Sequence, residues 1–331
     1  MELVNLSGFA VAHVVALDGD GFERLTVIVK GTFDIGAPPR RSDEQPPVVL
    51  SDTYTGDPAT SALAAAGEGA PFKPACDVLV VGAAYASGGR GTEALVAFRL
   101  GSLQKGVQVF GDRRWEGIGI HRPSRPEPFT RLPLDYARSF GGRDESTAPP
   151  EVSEDNPAGV GFRGRRSRQP VAGSRLPNIE SLQKPIASPD DNPQPVGFGP
   201  LAPHWRARRQ YAGTMDDRWM KTRAPLPPRD LDPLFHQVAP ADQIYPGYVK
   251  GGEQVVLTGF RPEGNLRFAL PVVRADVSVK LGGDEVACSA PCDTVLIDAE
   301  RKQVSLVWRA GLRVQGCIPQ LRWIRVAAVA A

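Results

Sequence analysis

Along residues 9–17 the large apolar side chains Phe9, Val11, Val15 and Leu17 alternate with the small Ala10, Ala12 and Ala16. A period of two puts one face of a strand against a core. His13 falls on the apolar side, where a histidine is more often hydrogen-bonded at a core edge than catalytic. Turn chemistry follows at Asp18-Gly19-Asp20-Gly21, and residues 23–35 are rich in β-branched side chains, so the two runs predict a hairpin. The same grammar returns at 77–86, 94–100 and 106–110, and again at 253–260, 265–270, 276–281, 294–298 and 303–309. Glycine-rich breaks at 88–91 and near Gly101, and turn pairs such as Glu263-Gly264 and Gly282-Gly283, separate several of these runs. Only 60–67, TSALAAAG, has the look of a short helix. Short strands at close spacing predict a mainly β fold, an antiparallel sandwich or barrel-like body built from both ends of the chain.

Between these ends the periodicity stops. One domain over 1–331 thus divides into a β region at 1–111, a Pro/Gly/Arg-rich middle at 112–250 and a second β region at 251–331. Proline-rich polar chain is often disordered. This stretch carries Trp115, Phe129, Tyr136, Phe140, Phe162, Phe198, Trp205, Tyr211, Trp219, Phe235 and Tyr245, too many aromatics for a linker. It is expected to be ordered irregular structure fastened over the sheet, and long ordered loops are commonly functional.

Composition narrows the function classes. The 331 residues carry a formal charge of +2, with 41% hydrophobic and 23% charged residues. Near-neutrality excludes binding of nucleic acid or anionic membrane by bulk charge. The 35 glycines and 32 prolines predict many turns. The first residues lack a basic region and a cleavage site, and no apolar run reaches the roughly 18 residues of a membrane span, so a cytoplasmic location is expected. Cys76, Cys288, Cys292 and Cys317 are expected as reduced thiols. Cys288 and Cys292 have three residues between them and no histidine nearby, which disfavours zinc.

The familiar catalytic constellations are missing: no Gly-x-Ser-x-Gly, no His-Glu-x-x-His and no P-loop lysine. A carboxylate pair drawn from Asp144, Glu180 and Asp216 would suit a hydrolase of envelope polysaccharide. Arg163, Arg165, Arg166 and Arg168 form one basic cluster; Arg206, Arg208 and Arg209, beside Trp205 and Tyr211, form another. Such clusters can stack single-stranded nucleic acid, but Trp, Tyr and Arg are also the composition of protein hot spots. Short stretches such as LPNIE at 176–180 get a shape without regular structure: Pro177 fixes one φ angle, Asn178 closes a turn, and Glu180 is left to meet an arginine. Asn156-Pro157 and Gly141-Gly142 work in the same way, with Arg138 and Asp144 as flanking charges.

In order along the chain, TVIVKGTFDI (26–35), FKPACDVLVVGAAYASGG (72–89), VFGDRRW (109–115), PFTRLPLDYARSFGGRD (128–144), NPAGVGF (156–162), LPNIE (176–180), PVGFGPLAPHWRARRQYAGTMDDRW (195–219) and DTVLIDAERKQVSLVWR (293–309) resemble the bacterial domain-of-unknown-function 2169 family. The resemblance implies a non-enzymatic cytosolic adaptor of the type VI secretion system. Such an adaptor binds a toxic effector, often one with a PAAR or Rhs region, and helps mount it on the spike. It carries over Arg138, Phe140, Gly141, Gly142, Asp144, Asn156, Pro157, Gly161, Pro177, Asn178, Glu180, Trp205, Arg208, Gly213, Asp216 and Trp219 as family motif residues. With Arg206 and Arg209 these are the candidates for contacting a partner or anchoring the loops. Met215 stands where the family would have an aromatic, and Cys76 where it would have a small polar residue. No cofactor, metal or nucleic acid is implied.

Overall fold

A computed structural model describes residues 1–314 and 316–330 of the chain. The predicted hairpin is present as Ala10–Leu17 against Glu23–Asp34, and Asp18 closes its turn by accepting from the amides of Asp20 and Phe22. Glu23–Asp34 then lies inside a seven-stranded sheet. Its order is Ile244–Tyr245, Cys76–Val81, Cys292–Asp298, Gln303–Arg313, Glu23–Asp34 and Ala10–Leu17, with Arg40–Arg41 added beside Glu23–Asp34. A five-stranded sheet runs Ile179–Ser181, Leu103–Phe110, Glu93–Leu100, Gln254–Thr258, Leu266–Ala269. A four-stranded sheet runs Glu2–Asn5, Leu321–Ala330, Val273–Leu281, Asp284–Cys288.

Alternation decides what each sheet buries. On Glu93–Leu100 the side chains of Val96, Phe98 and Leu100 point inward while Leu95 and Arg99 face solvent. Inner-face residues of all three sheets, among them Val29, Val80, Phe98, Val255, Val277 and Ile324, pack into one core. Burying a side chain of this size contributes about 1.5–3 kcal/mol. Phe198, delivered by the middle of the chain, plugs that core edge-on to Phe98 and Phe260 at 5.9 and 5.3 Å. The architecture is mainly β and sandwich-like, and among the described residues no sheet closes into a barrel.

Three expectations need correction. Residues 60–67 do not form a helix: Leu63–Ala65 pairs with Thr53–Tyr54 as a strand, and Asp57 holds the preceding turn through the amides of Ala59 and Ser61. An alanine run of this length is too short to repay helix nucleation, whereas Leu63 gains burial under Trp205. The short helices lie instead at Arg206–Arg209 and Asp217–Thr222. The strands are not all antiparallel, since Cys76–Val81 runs parallel to Cys292–Asp298 and Glu2–Asn5 parallel to Leu321–Ala330. These pairings join distant stretches, so no hairpin turn dictates their direction. On Ala10–Leu17 the expected burial fades, with Val15 and Leu17 exposed where the edge strand outruns the core.

Candidate partner-binding site

The middle of the chain is held by polar side chains that reach across it. Phe140-Gly141 pairs in parallel with Val160-Gly161, and Ser139 bridges Ile179, so the segments 138–144, 156–162 and 176–180 meet at one place. Asn156 is fully buried there, its Nδ2 donating to the carbonyls of Tyr136 and Phe140 at 2.8 and 3.0 Å. Gly141 has φ +145, and a Cβ on it would lie 2.2 Å from the Asn156 carbonyl oxygen. Only glycine admits that approach. Gly142, at φ +103, returns the favour by donating its amide to the same carbonyl at 2.8 Å.

LPNIE closes the other side of this hub. Asn178 donates from Nδ2 to the Phe110 carbonyl and to Asp112, and its Oδ1 accepts from Arg138 at 3.3 Å. Glu180 is buried, takes the Arg113 guanidinium on one oxygen and accepts the Ile186 amide at 2.9 Å on the other. Arg113 also donates to the Pro177 carbonyl and lies 3.9 Å over the Phe110 ring. Phe140 packs with Trp115, Leu176 and Ile186 as a small core beneath these bonds.

Asp144 is also wholly buried. It accepts from the Ser146 hydroxyl and amide, the Gly164 amide and Gln169 Nε2, at 2.5–3.0 Å. Burial alone would raise its carboxyl, but the hydroxyls of Ser146 and Ser167 and the amides of Ser146 and Gly164 outweigh it and hold the group far below the usual carboxylate range. Asp216 is the N-cap of Asp217–Thr222, accepting the Trp219 amide at 2.8 Å. Trp219 is half-buried and donates from its indole to the Leu226 carbonyl. Asp144, Glu180 and Asp216 are therefore each consumed by a different local task, and none shares a partner with another.

The second arginine cluster divides. Arg208 is buried and donates to the carbonyls of Leu201 and Phe235, over whose ring it sits at 5.2 Å. Arg206 and Arg209 are exposed and paired with Asp155 and Glu154. Those carboxylates neutralise the cations that a phosphate backbone would need. Trp205 is fully buried against Tyr136, edge-on at 5.2 Å. Gly213, at φ +75, lies so close to Pro228 that a Cβ would stand 2.8 Å from its ring. Pro157 is half-buried beside Asn156, and Met215 is exposed, so no core depends on an aromatic there.

Two features lay beyond the sequence reading. One is a buried charge chain. Asp77 accepts from Lys73, Gln237 and the amides of Val238 and Ala239; Lys73 also donates to Thr294, Thr294 to Asp293, and Arg309 bridges Asp293 to the Glu68 carbonyl. Burial raises the Asp293 carboxyl, and Arg309 and Lys73 act against that rise. Cys76 and Cys292 flank the chain as buried free thiols, both pushed well up by desolvation. Spacing gives no hint of it, because Asp77 and Gln237 are 160 residues apart.

The other is the hairpin Trp115–Glu116 with Arg122–Pro123. Trp115 anchors its base in the small core under Phe140, while at its tip Ile118 is fully exposed and Ile120 is 87% exposed. The signal in sequence was the run EGIGIH, two β-branched apolar residues between glycines with no polar partner strand.

A family model described as "Uncharacterized protein conserved in bacteria (DUF2169)" matches residues 20–309. The chain belongs to this family. The DUF2169 match takes in the whole loop hub, both arginine clusters and the buried charge chain. No curated protein and no solved structure matches it. Among the described residues of this DUF2169 chain, no group of three His, Cys, Asp or Glu side chains is placed to hold a metal, and no helix is long and apolar enough to cross a membrane.

Proposed function

We propose that this DUF2169 protein is a cytoplasmic adaptor that binds a type VI secretion effector and helps load it onto the spike, without catalysing a reaction. The observation that carries the reading is the hairpin tip. Ile118 and Ile120 stand in water on a turn whose base is pinned by the buried Trp115, so the solvation cost of two large apolar side chains is accepted where the chain could have avoided it. An exposed apolar tip held at an anchored base gains burial on docking. The polar hub beneath it, with the Asn156 and Asn178 amide donors and the Glu180 carboxylate already engaged, supports a preformed surface rather than a cleft with idle acids and bases.

The test is co-purification with the product of the neighbouring effector gene. Ile118→Ser/Ile120→Ser is expected to keep the melting temperature within about 2 °C, as surface substitutions do, while losing the effector. Retention of the effector by the double variant would remove the hairpin from the interface. Failure of the wild-type chain to hold any neighbouring product would remove the adaptor reading.

A further inference from the structure

The outer face and free edge of the five-stranded sheet carry arginines with no carboxylate lining the space beside them. Register places Gln104, Arg99, Val256 and Arg267 side by side across four strands. The next row is Gly106, Ala97 and Thr258, a floor of small side chains walled by the exposed Leu95 and Leu182. Together they shape a groove of about 550 Å³. On the other side of Arg267, between the edge strand and the 36–41 turn, lies a crevice of about 690 Å³ lined by Pro38, Phe268, Pro271 and the exposed Val272.

No carboxylate lines either space. Arg41, Arg99 and Arg267 line them and make no ion pair or side-chain hydrogen bond among the described residues. Several exposed arginines elsewhere do take carboxylates: Arg131 takes Glu300, Arg206 takes Asp155 and Arg313 takes Asp18. Glu253, beside the edge strand, is occupied by the amides of Lys250 and Gly251. Lys105 turns to the inner side of its strand, where Asp242 holds it at 2.8 Å.

The edge itself is open. Leu266–Ala269 pairs only with Gln254–Thr258. The Leu270 amide donates to Glu253, on the same side. In an antiparallel ladder alternate residues face alternate neighbours, so Phe268 and Leu266 bond inward and the backbone N–H and C=O groups of Arg267 and Ala269 point off the sheet. Those four groups have no hydrogen bond among the described residues. An unpaired edge is normally blunted by charge that repels a second strand; here the charge is of one sign and would attract an acidic one.

We propose that the Leu266–Ala269 edge receives an extended acidic segment of a partner protein as an added strand. Its backbone pairs with Arg267 and Ala269, its carboxylates meet Arg99, Arg267 and Arg41, and an apolar residue enters the crevice beside Phe268. The proposal rests on the partner-binding reading above and adds a second contact far from the hairpin tip in sequence.

The probe is a fluorescein-labelled octapeptide of alternating glutamate and valine, with its lysine–valine counterpart as control, titrated against the full chain and read by anisotropy. The acidic peptide is expected to bind at least tenfold more tightly than the basic one. Ala269→Pro, which deletes an outward N–H without touching the inward ladder, is expected to weaken it by about tenfold at unchanged melting temperature. Arg99→Glu/Arg267→Glu is expected to reverse the preference. Equal affinity for the two peptides, or indifference to Ala269→Pro, would overturn the inference, as would a concentration-dependent dimer abolished by that proline. If the wild-type chain and both variants hold the effector equally, the adaptor reading stands and the edge is not its site. If the peptides behave as expected while the wild-type chain holds no effector, the edge stands and the adaptor reading falls.

Discussion

The β body and the loop-built middle reach order by opposite means. The body gains it from area: interchangeable apolar faces such as Val96, Phe98 and Leu100 against Val255 and Leu257. The middle gains it from direction: single side chains such as Asn156, Asn178 and Arg208 whose atoms must each find one carbonyl. Area tolerates a change of shape and direction does not. A surface that must present one fixed set of contacts is well built on the second kind of support.

Substitutions can break that comparison. Phe98→Ala should cost about 3–5 kcal/mol and lower the melting temperature of every probe together, since it opens the shared core. Asn156→Ala should cost about 1–3 kcal/mol by leaving the Phe140 carbonyl without its side-chain donor and the Tyr136 carbonyl with the Ser139 amide alone. Its signature is local: faster hydrogen exchange and proteolysis across 138–163 with the body still cooperative. A uniform loss instead would mean that the hub and the body unfold as one.

Acid sharpens the contrast. His236 is held down to about 4 by burial first and then by the charges of Arg208, Arg309 and Lys73. Unfolded, it protonates near 6.5. The folded chain therefore binds fewer protons between these values, and stability is kept above pH 6.5 and falls by at most about 3 kcal/mol as pH drops through the window to 4. Urea midpoints for the wild type and His236→Phe at pH 7 and pH 4.5 should show the variant losing less. Asp144, held far below the carboxylate range, adds nothing to that loss until the pH is lower still. The smallest effect is expected for Asp216→Ala, about 1 kcal/mol, confined to Asp217–Thr222 and read as loss of Trp219 burial by fluorescence.

How much of this was legible follows from the same contrast. Period-two runs such as 94–100 declare both their strand and their buried face, so the body could be read locally. The aromatics declared that the middle is ordered. They could not declare that Arg208 is buried while Arg206 and Arg209 stay outside, because three neighbouring arginines differ only in what Leu201 and Phe235, Asp155 and Glu154 bring to them. LPNIE was recognisable as a stiff turn, but that Glu180 takes Arg113 and Asn178 takes Phe110 depends on chain some 70 residues earlier. The alanine run at 60–67 misled because burial outranked intrinsic preference. The charge chain through Asp77 was invisible because its members come from five separate parts of the sequence.

The order of strands in the largest sheet also sets a schedule. Cys292–Asp298 and Gln303–Arg313 lie between Cys76–Val81 and Glu23–Asp34, so the two early strands are never neighbours. On a ribosome that adds about 5–20 residues per second, Cys76–Val81 emerges roughly ten to forty seconds before the last of its sheet is made. For most of that interval Leu79 and Val80 have no native strand beside them, and Val27 has one only on the Ala10–Leu17 side. A nascent chain of this kind is exposed to chaperones and to its own copies for most of its synthesis, and its half-made form is the one most prone to stick.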